Sequence, residues 1–269
     1  MSSRAYIWLI WRNHRTFALF SMAFITLFQF LILYLVTTFD TAAILKAVLD
    51  QLPPMIKAMM QDSFLNMLSY DGAAAFGLNH PIVLTLLVIN AINIPAMHIS
   101  RELESGTLEL LLAHPVKRTS LLFSLWMAGG MIILSIILAA LLGSCLSIIL
   151  FHNLTAGMLL HLLEIGFNLW LLIWLILTMT MMIAVFSKAG FRSGNASAGI
   201  TFFFYLLFFL AQLWSTVKFT NYFNLFNYYQ PQKLMFGEGN FLRDIVILGS
   251  VIIILFLISM KRFRERDVP

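Results

Sequence analysis

Six apolar stretches, each long enough to cross a bilayer, constrain the fold of this chain more than any other feature. A helix needs about 20 consecutive apolar residues to cross a hydrocarbon core of about 30 Å. Because backbone groups in lipid must find their hydrogen bonds within the protein, such runs predict helices. The sequence therefore predicts an all-α integral membrane protein, with residues 1–269 forming one transmembrane domain. The predicted spans are about 17–36, 82–97, 120–151, 158–186, 200–217 and 241–260.

Composition excludes several other classes of protein. Apolar residues make up 61% of the chain and charged residues 11%, against about 45–50% and about 25% in soluble domains. The 269 residues leave no room for a sizeable catalytic domain beside six spans. The net charge of +5 does not indicate nucleic-acid binding, since the cations cluster beside the spans. A single cysteine, Cys145, excludes an intrachain disulfide and a thiolate metal cluster.

The N-terminal segment and the cations predict the orientation. Residues 1–16 contain tryptophans among arginines, as in RAYIWLIWRNHR, which is typical of a helix lying in the membrane interface. A signal peptide is the alternative, but the apolar run that follows is long enough to span, and no clean cleavage site follows it. With the N-terminus inside, twelve of the 17 Lys and Arg residues lie on the inner side. The positive-inside rule then predicts that both termini are cytoplasmic.

The polar connections and small residues predict further local structure. Residues 37–81 predict two short amphipathic helices around Pro53 and Pro54, followed by a turn at Tyr70–Gly72. The aromatic and asparagine-rich residues 218–240 predict a loop half-embedded at the interface. Small residues in the third span, Gly129, Gly130, Gly143 and Ser144, predict close helix contacts.

A charged stretch, Arg101–Arg118 (RELESGTLELLLAHPVKR), separates the second and third spans and must lie in water. Gly106 can end one helical piece, Thr107 can cap the next, and Pro115 can close it. The stretch is therefore expected to hold a short, stiff helix.

That short helix is predicted to have two faces. Leu108, Leu111 and Leu112 fall on one stripe and leave Glu109 on another. Such a helix can insert into a groove of a partner protein, and a structured loop without a partner is the alternative.

Polar residues inside the spans are candidate path residues. Asn90 and Asn93 are expected to face other helices, because an unpaired amide in lipid is costly. His161, Glu164 and Asn168 share a helix face near the outer end of the fourth span. They are candidates for a substrate or proton path, and an interfacial polar cluster is the alternative.

Other chemistry is weakly supported or absent from the sequence. Four methionines, Met55, Met59, Met60 and Met67, could bind cuprous ion, although packing is the more ordinary role, and we predict no metal site. No lysine follows a glycine, so there is no phosphate-binding loop, and any ATP must be bound by another chain. The H-E-x-x-H and G-x-S-x-G motifs of common hydrolases are also missing.

The charged stretch resembles the motif of ABC-2 type permease subunits: acidic residues, then Gly-Thr-Leu-Glu, a leucine cluster, and Pro-Val with a basic residue. The order of interfacial helix, outer Leu-Pro-Pro segment, spans and motif agrees along the whole chain. The resemblance implies a coupling helix that docks on a separate ATPase, which holds ATP and Mg²⁺. It also implies two permeases and two ATPases per transporter. The residues on motif positions are Glu102, Glu104, Gly106, Thr107, Glu109 and Pro115.

From this resemblance we expect a non-catalytic, six-span permease subunit of an ABC exporter in a bacterial cytoplasmic membrane, dimeric and surrounded by membrane lipids. Its path is expected between the two permeases, near Asn90 and Asn93. A membrane assembly or sensor component that binds a soluble regulator through the same helix is the alternative. An intramembrane enzyme would need His161 and Glu164 to form an ionisable centre. The sequence does not identify the substrate.

Overall fold

A computed structural model describes residues 3–38, 47, 51, 69–101, 118–188 and 192–265. All regular secondary structure in these residues is helical. The charged stretch between Arg101 and Arg118 and the four outer methionines lie outside the described residues. The helices are α1 (Ser3–Thr38), α2 (Tyr70–Asn79), α3 (Pro81–Pro95) with a π-helical extension (Ala96–Arg101), α4 (Arg118–Phe151), α5 (Ala156–Phe186), α6 (Ser193–Leu213), two 3-10 helices (Ser215–Tyr222 and Leu225–Tyr228), α7 (Pro231–Met235) and α8 (Phe241–Glu265).

The predicted all-α fold with six membrane-spanning helices is confirmed. Six helical segments of the described chain are long and apolar enough to cross a membrane. Their number agrees with the prediction, and several of them are longer than predicted. The segments are Arg4–Thr38, Tyr70–Ser100, Thr119–Phe151, Ala156–Phe186, Ser193–Leu213 and Phe241–Glu265.

Helix α1 joins the predicted interfacial segment and the first span without a break. It has 36 residues and is therefore about 54 Å long, well beyond the thickness of a hydrocarbon core. Near its start, the Arg12 guanidinium lies 5.1 Å from the ring centre of Trp8, and both side chains are exposed. This exposed aromatic and basic end suits a membrane interface.

The turn predicted at Tyr70–Gly72 is wrong, because these residues begin helix α2. The Ser69 hydroxyl accepts a hydrogen bond from the Gly72 N–H at 3.1 Å, which caps the helix. Asp71 in the first turn favours the same helix start through the helix dipole. The chain breaks instead at His80, whose extended backbone precedes Pro81, the first residue of α3.

Helix α5 lies at the centre of the bundle and packs against α3, α4, α6 and α8, while α1 packs along α4. The predicted close contacts of α4 are confirmed. A Cβ on Gly143 would clash with the backbone carbonyl of Thr26 in α1, and one on Gly130 would lie 2.8 Å from the Trp174 ring. The Thr26 hydroxyl also donates to the Ala139 carbonyl at 2.8 Å.

The segment between α6 and α8 forms a partly buried cap at the end of the bundle remote from Arg101. The Tyr229 ring is buried, and its hydroxyl donates to the Leu78 carbonyl in α2 at 3.2 Å. Burial raises the pKa of Tyr229. Asn224 donates to the Phe204 carbonyl in α6 at 2.7 Å. Short helices thus replace the predicted loop, with part of the segment buried.

Candidate functional site

The described structure shows how both ends of the charged stretch join the bundle. Arg101 is the last residue of the π-helical extension, and Arg118 is the first residue of α4. The predicted coupling residues between them lie outside the described residues: Glu102, Glu104, Gly106, Thr107, Leu108, Glu109, Leu111, Leu112 and Pro115. Their predicted role in contacting an ATPase remains a prediction.

The end of the stretch at Arg101, which we call the incoming end, is held by α1 and α6. Pro95 has no N–H to donate, and the helix widens directly after it into the π-helical turn Ala96–Arg101. The buried His98 ring of this turn lies 5.4 Å from the ring of His14 and 6.0 Å from that of Tyr6, both in α1.

The last turn before Arg101 also contacts α6. The Ser100 and Ser193 hydroxyls are 2.6 Å apart, which joins this turn to the first residue of α6. Both hydroxyls are buried, so this hydrogen bond is shielded from competing water.

Beyond Arg118, where the stretch ends, α4 is joined to α5 by three stacked indoles, Trp126, Trp170 and Trp174, which we call the tryptophan ladder. The Trp126 and Trp174 ring centres are 4.4 Å apart, and those of Trp170 and Trp174 are 4.6 Å apart. The Trp126 ring also stacks on Phe256 of α8 at 4.2 Å. The ladder therefore connects α4, α5 and α8.

Each indole N–H of the ladder makes a hydrogen bond. Trp126 donates to the Thr178 hydroxyl at 2.9 Å, and Trp174 donates back to the Trp126 carbonyl at 3.3 Å. Trp170 donates to the Gly130 carbonyl at 2.9 Å. Trp126 lies eight residues, or about 12 Å, beyond Arg118. Helix α4, which begins at the other end of the stretch, the outgoing end, is thus tied to α5 at the centre of the bundle.

Asn90 and Asn93, which the sequence groups together, lie in different environments. Asn90 is buried and donates to the Ser21 hydroxyl of α1 at 2.9 Å and to the Leu86 carbonyl at 2.8 Å. Asn93 is exposed on the surface of α3, about 12 Å from Arg101 along the helix. Asn90 therefore joins two helices of the same chain, and Asn93 is available to a second copy or to a path.

The exposed face that contains Asn93 lies between α1 and α6. Ile92 lies on the α6 side of α3, because its side chain is near Gly194 of α6, and Asn90 lies on the α1 side. With about 100° between successive residues, Asn93 falls between those two directions. Thr85 and Ile89 continue the same exposed stripe along α3. We call Thr85, Ile89 and Asn93 the α3 stripe.

Comparison with protein families gives a match over nearly the whole chain. The family described as ABC-2 family transporter protein matches residues 10–268. The chain belongs to the ABC-2 transporter family. It is accordingly a permease component of an ABC transporter and a multi-pass membrane protein. Permeases of this family are typically non-catalytic membrane subunits, and the family in general implies an ABC ATPase partner. Comparisons with curated proteins and with solved structures gave no match.

In this ABC-2 permease, His161, Glu164 and Asn168 do lie together on α5. His161 Nδ1 is 3.1 Å from Glu164 Oε2, and both side chains are half-buried. Asn168, one turn further, is fully buried, and neither its amide oxygen nor its nitrogen has a hydrogen-bond partner among the described residues. The predicted cluster on one helix face is therefore present.

The His161–Glu164 pair is far from Asn93 along the bundle. Helix α5 ends at Phe186, on the side of the bundle that holds the charged stretch. Glu164 lies 22 residues, or about 33 Å, from that end. Asn93 lies about 12 Å from that side, so the two positions differ by about 20 Å along the bundle. A single copy does not bring the predicted path residues into one site.

Sequence reasoning missed the tryptophan ladder and the His14–His98 contact. The spacing Trp170, Trp174 and Thr178 was a readable signal, since residues at i, i+4 and i+8 follow one helix face. The His14–His98 contact joins residues 84 positions apart, and no local pattern indicates it. No group of three or more His, Cys, Asp or Glu side chains that could hold a metal occurs in the described part of the chain.

Proposed function

We propose that this permease is the membrane subunit of an ABC exporter in a bacterial cytoplasmic membrane, with both termini cytoplasmic. A separate ATPase binds the charged stretch and drives transport by hydrolysing ATP with Mg²⁺. The observation that carries this proposal is the anchoring of the two ends of the stretch. One end contacts α1 and α6, and the other is tied to α5 and α8 through the tryptophan ladder.

This anchoring suits transmission of force. A segment whose two ends are anchored in this way cannot be displaced without loading the helices that hold those ends. Movement of an ATPase against Arg101–Arg118 would therefore reach four helices of the bundle at once. The predicted division of roles within the stretch is that the leucines are buried in the ATPase and that Glu102, Glu104 and Glu109 make polar contacts around them.

Co-purification tests this proposal. The tagged permease, expressed with its neighbouring genes and extracted in mild detergent, is expected to bring an ATP-hydrolysing subunit with it. Replacing Glu102, Glu104 and Glu109 by alanine should release that subunit or uncouple its activity. Glu238→Ala, an exposed carboxylate at the far end of the bundle, is the matched control and should leave the complex intact. If wild-type protein never retains an ATPase, the assembly or sensor role is favoured instead.

We further propose that two permeases pair across the α3 stripe and that the transport path runs along it. Asn93 supports this, because an amide exposed in the span about 12 Å from Arg101 is costly against lipid and favourable against water or a polar partner. Asn90 supports the path only indirectly, by fixing α3 to α1.

Cysteine cross-linking tests the pairing. In a Cys145→Ser background, Asn93→Cys should form a disulfide-linked dimer in native membranes. Leu150→Cys, at a position that is 64% exposed near the far end of α4, should not. Equal cross-linking at both positions would indicate random collision and reject the interface.

A further inference from the structure

An open groove lies between α4, α5 and α8, on the half of the bundle remote from the charged stretch. Its volume is about 370 Å³, within the range of about 300–1,000 Å³ of small-molecule pockets. Its walls are aliphatic residues of α4 and α5 with two phenylalanines, Phe167 of α5 and Phe241 of α8. Among the described lining residues, Glu164 alone carries a charge.

The position and length of the groove fit one leaflet of a bilayer. Along α5 it begins near Leu160, about 6 Å from the helix start, and along α4 it reaches Leu134, about 25 Å from the helix end. The lining residues therefore cover about 10 Å of each helix, from Leu134 to Leu141 on α4 and from Leu160 to Phe167 on α5. Leu138 and Leu163 in its walls are 47% and 48% exposed, so the groove opens sideways to lipid.

Glu164 lies just inside the hydrocarbon boundary, close to the lipid headgroups. Helix α5 is about 46 Å long, which exceeds a hydrocarbon core of about 30 Å by about 16 Å. If the excess is shared between both ends, Glu164, about 12 Å from Ala156, lies within about 4 Å of the hydrocarbon boundary. The charged group is thus close to the headgroup region, and Phe167 of α5 lies deeper in the groove.

We propose that this groove binds a phospholipid with a primary ammonium headgroup, the acyl chain lying along α4 and α5 and the ammonium on Glu164. Apolar contacts alone select no occupant here, since lipid tails are as apolar as leucine. The selection must come from the carboxylate, which is complementary to a cation. A carboxylate accepts about four hydrogen bonds, so the bond to His161 Nδ1 leaves Glu164 able to accept from an ammonium. This site is separate from the proposed transport path, because the groove is lined by α4, α5 and α8 and the path runs along α3.

Native mass spectrometry of the delipidated full-length protein tests the proposal. The probes are phosphatidylethanolamine, phosphatidylcholine and phosphatidylglycerol with identical chains. Choline lacks N–H donors, so wild type should bind the ethanolamine lipid about tenfold more tightly than the other two, as expected for one hydrogen bond to a charged group. Glu164→Gln should reduce this preference to about onefold.

Groove-filling variants separate this site from the rest of the lipid-facing surface. Leu163→Trp should fill the groove and abolish selective binding. Leu142→Trp is the matched control, because Leu142 is a 62% exposed leucine of α4 that does not line the groove.

Equal affinity for the three lipids in wild type, or selectivity that survives Leu163→Trp, would overturn the proposal. So would saturable binding of dodecylamine without selective binding of the ethanolamine lipid, since the groove would then be a site for free amines. The wild-type and Leu163→Trp results decide the matter even if Glu164→Gln fails to fold.

Discussion

The contact between Gly143 of α4 and Thr26 of α1 predicts a large effect from a single methyl group. A Cβ at position 143 would lie 3.0 Å from the Cα and carbonyl carbon of Thr26 and closer still to its carbonyl oxygen. Ordinary contacts of this kind are 3.4–4 Å, so α1 would have to move by at least several tenths of an ångström. Backbone atoms cannot rotate away as a flexible side chain can.

The expected cost of Gly143→Ala follows from these contacts. Overpacking in a well-packed core costs about 1–3 kcal/mol. Separation of the helices would also weaken the Thr26–Ala139 hydrogen bond, worth about 0.6 kcal/mol in a membrane bundle. The better helix propensity of alanine offsets about 0.5–1 kcal/mol of this. The net loss should be about 1–3 kcal/mol of unfolding free energy.

Reversible unfolding in mixed micelles with increasing dodecyl sulfate, followed by circular dichroism, measures this loss. Gly249→Ala in α8 is the matched control, because a Cβ there meets nothing within 4 Å, and it should be neutral or stabilising by up to about 1 kcal/mol. Thr26→Val removes the hydroxyl without adding bulk and should cost only about 0.6 kcal/mol. If Gly143→Ala proves as stable as Gly249→Ala, the close approach of α1 and α4 is refuted.

Three further predictions concern the ends of the charged stretch and the far cap. Trp126→Phe loses the hydrogen bond to Thr178 and should reduce the unfolding free energy by about 0.6–1.7 kcal/mol in the same micelle assay. Trp8→Phe, at an exposed site, should have little effect, and equal losses in the two variants would refute the structural role of the ladder. Ser193→Ala leaves the buried Ser100 hydroxyl without its α6 partner and should weaken the coupling of ATP hydrolysis to transport in the reconstituted complex. Ser250→Ala, at an exposed position on α8, should leave the coupling intact, and unchanged coupling in Ser193→Ala would remove the contact from the proposed mechanism. The raised pKa of Tyr229 means that its buried phenol stays protonated as pH rises, so in an alkaline absorbance titration Tyr229→Phe should remove no phenolate signal before the protein unfolds. Early loss of phenolate signal in Tyr229→Phe would contradict the burial.

The number and type of elements could be predicted from the sequence because the bilayer imposes a length on every apolar run. The close contacts of α4 could be predicted for a similar reason, since Gly143 and Gly130 have no side chain to hold helices apart. The start of α2 was not predicted, although the Ser69 cap is a local signal; the burial of Gly72, which depends on the neighbouring helices, is the part that the sequence does not show. The sequence pattern of tyrosine, aspartate and glycine is equally typical of a turn.

The two asparagines of α3 show why site residues are harder to predict than spans. Residues three apart differ by about 60° around a helix, so they share a face in a sequence pattern but not at the edge of a contact. In α3 that edge falls between them: Asn90 reaches Ser21 of α1, and Asn93 lies beyond α1 on the exposed α3 stripe. A single copy satisfies the first amide internally and presents the second on its surface at a depth where lipid would otherwise surround it. The position of Asn93 therefore argues that the α3 stripe faces water or another protein, and this is the physical reason for placing the second permease there.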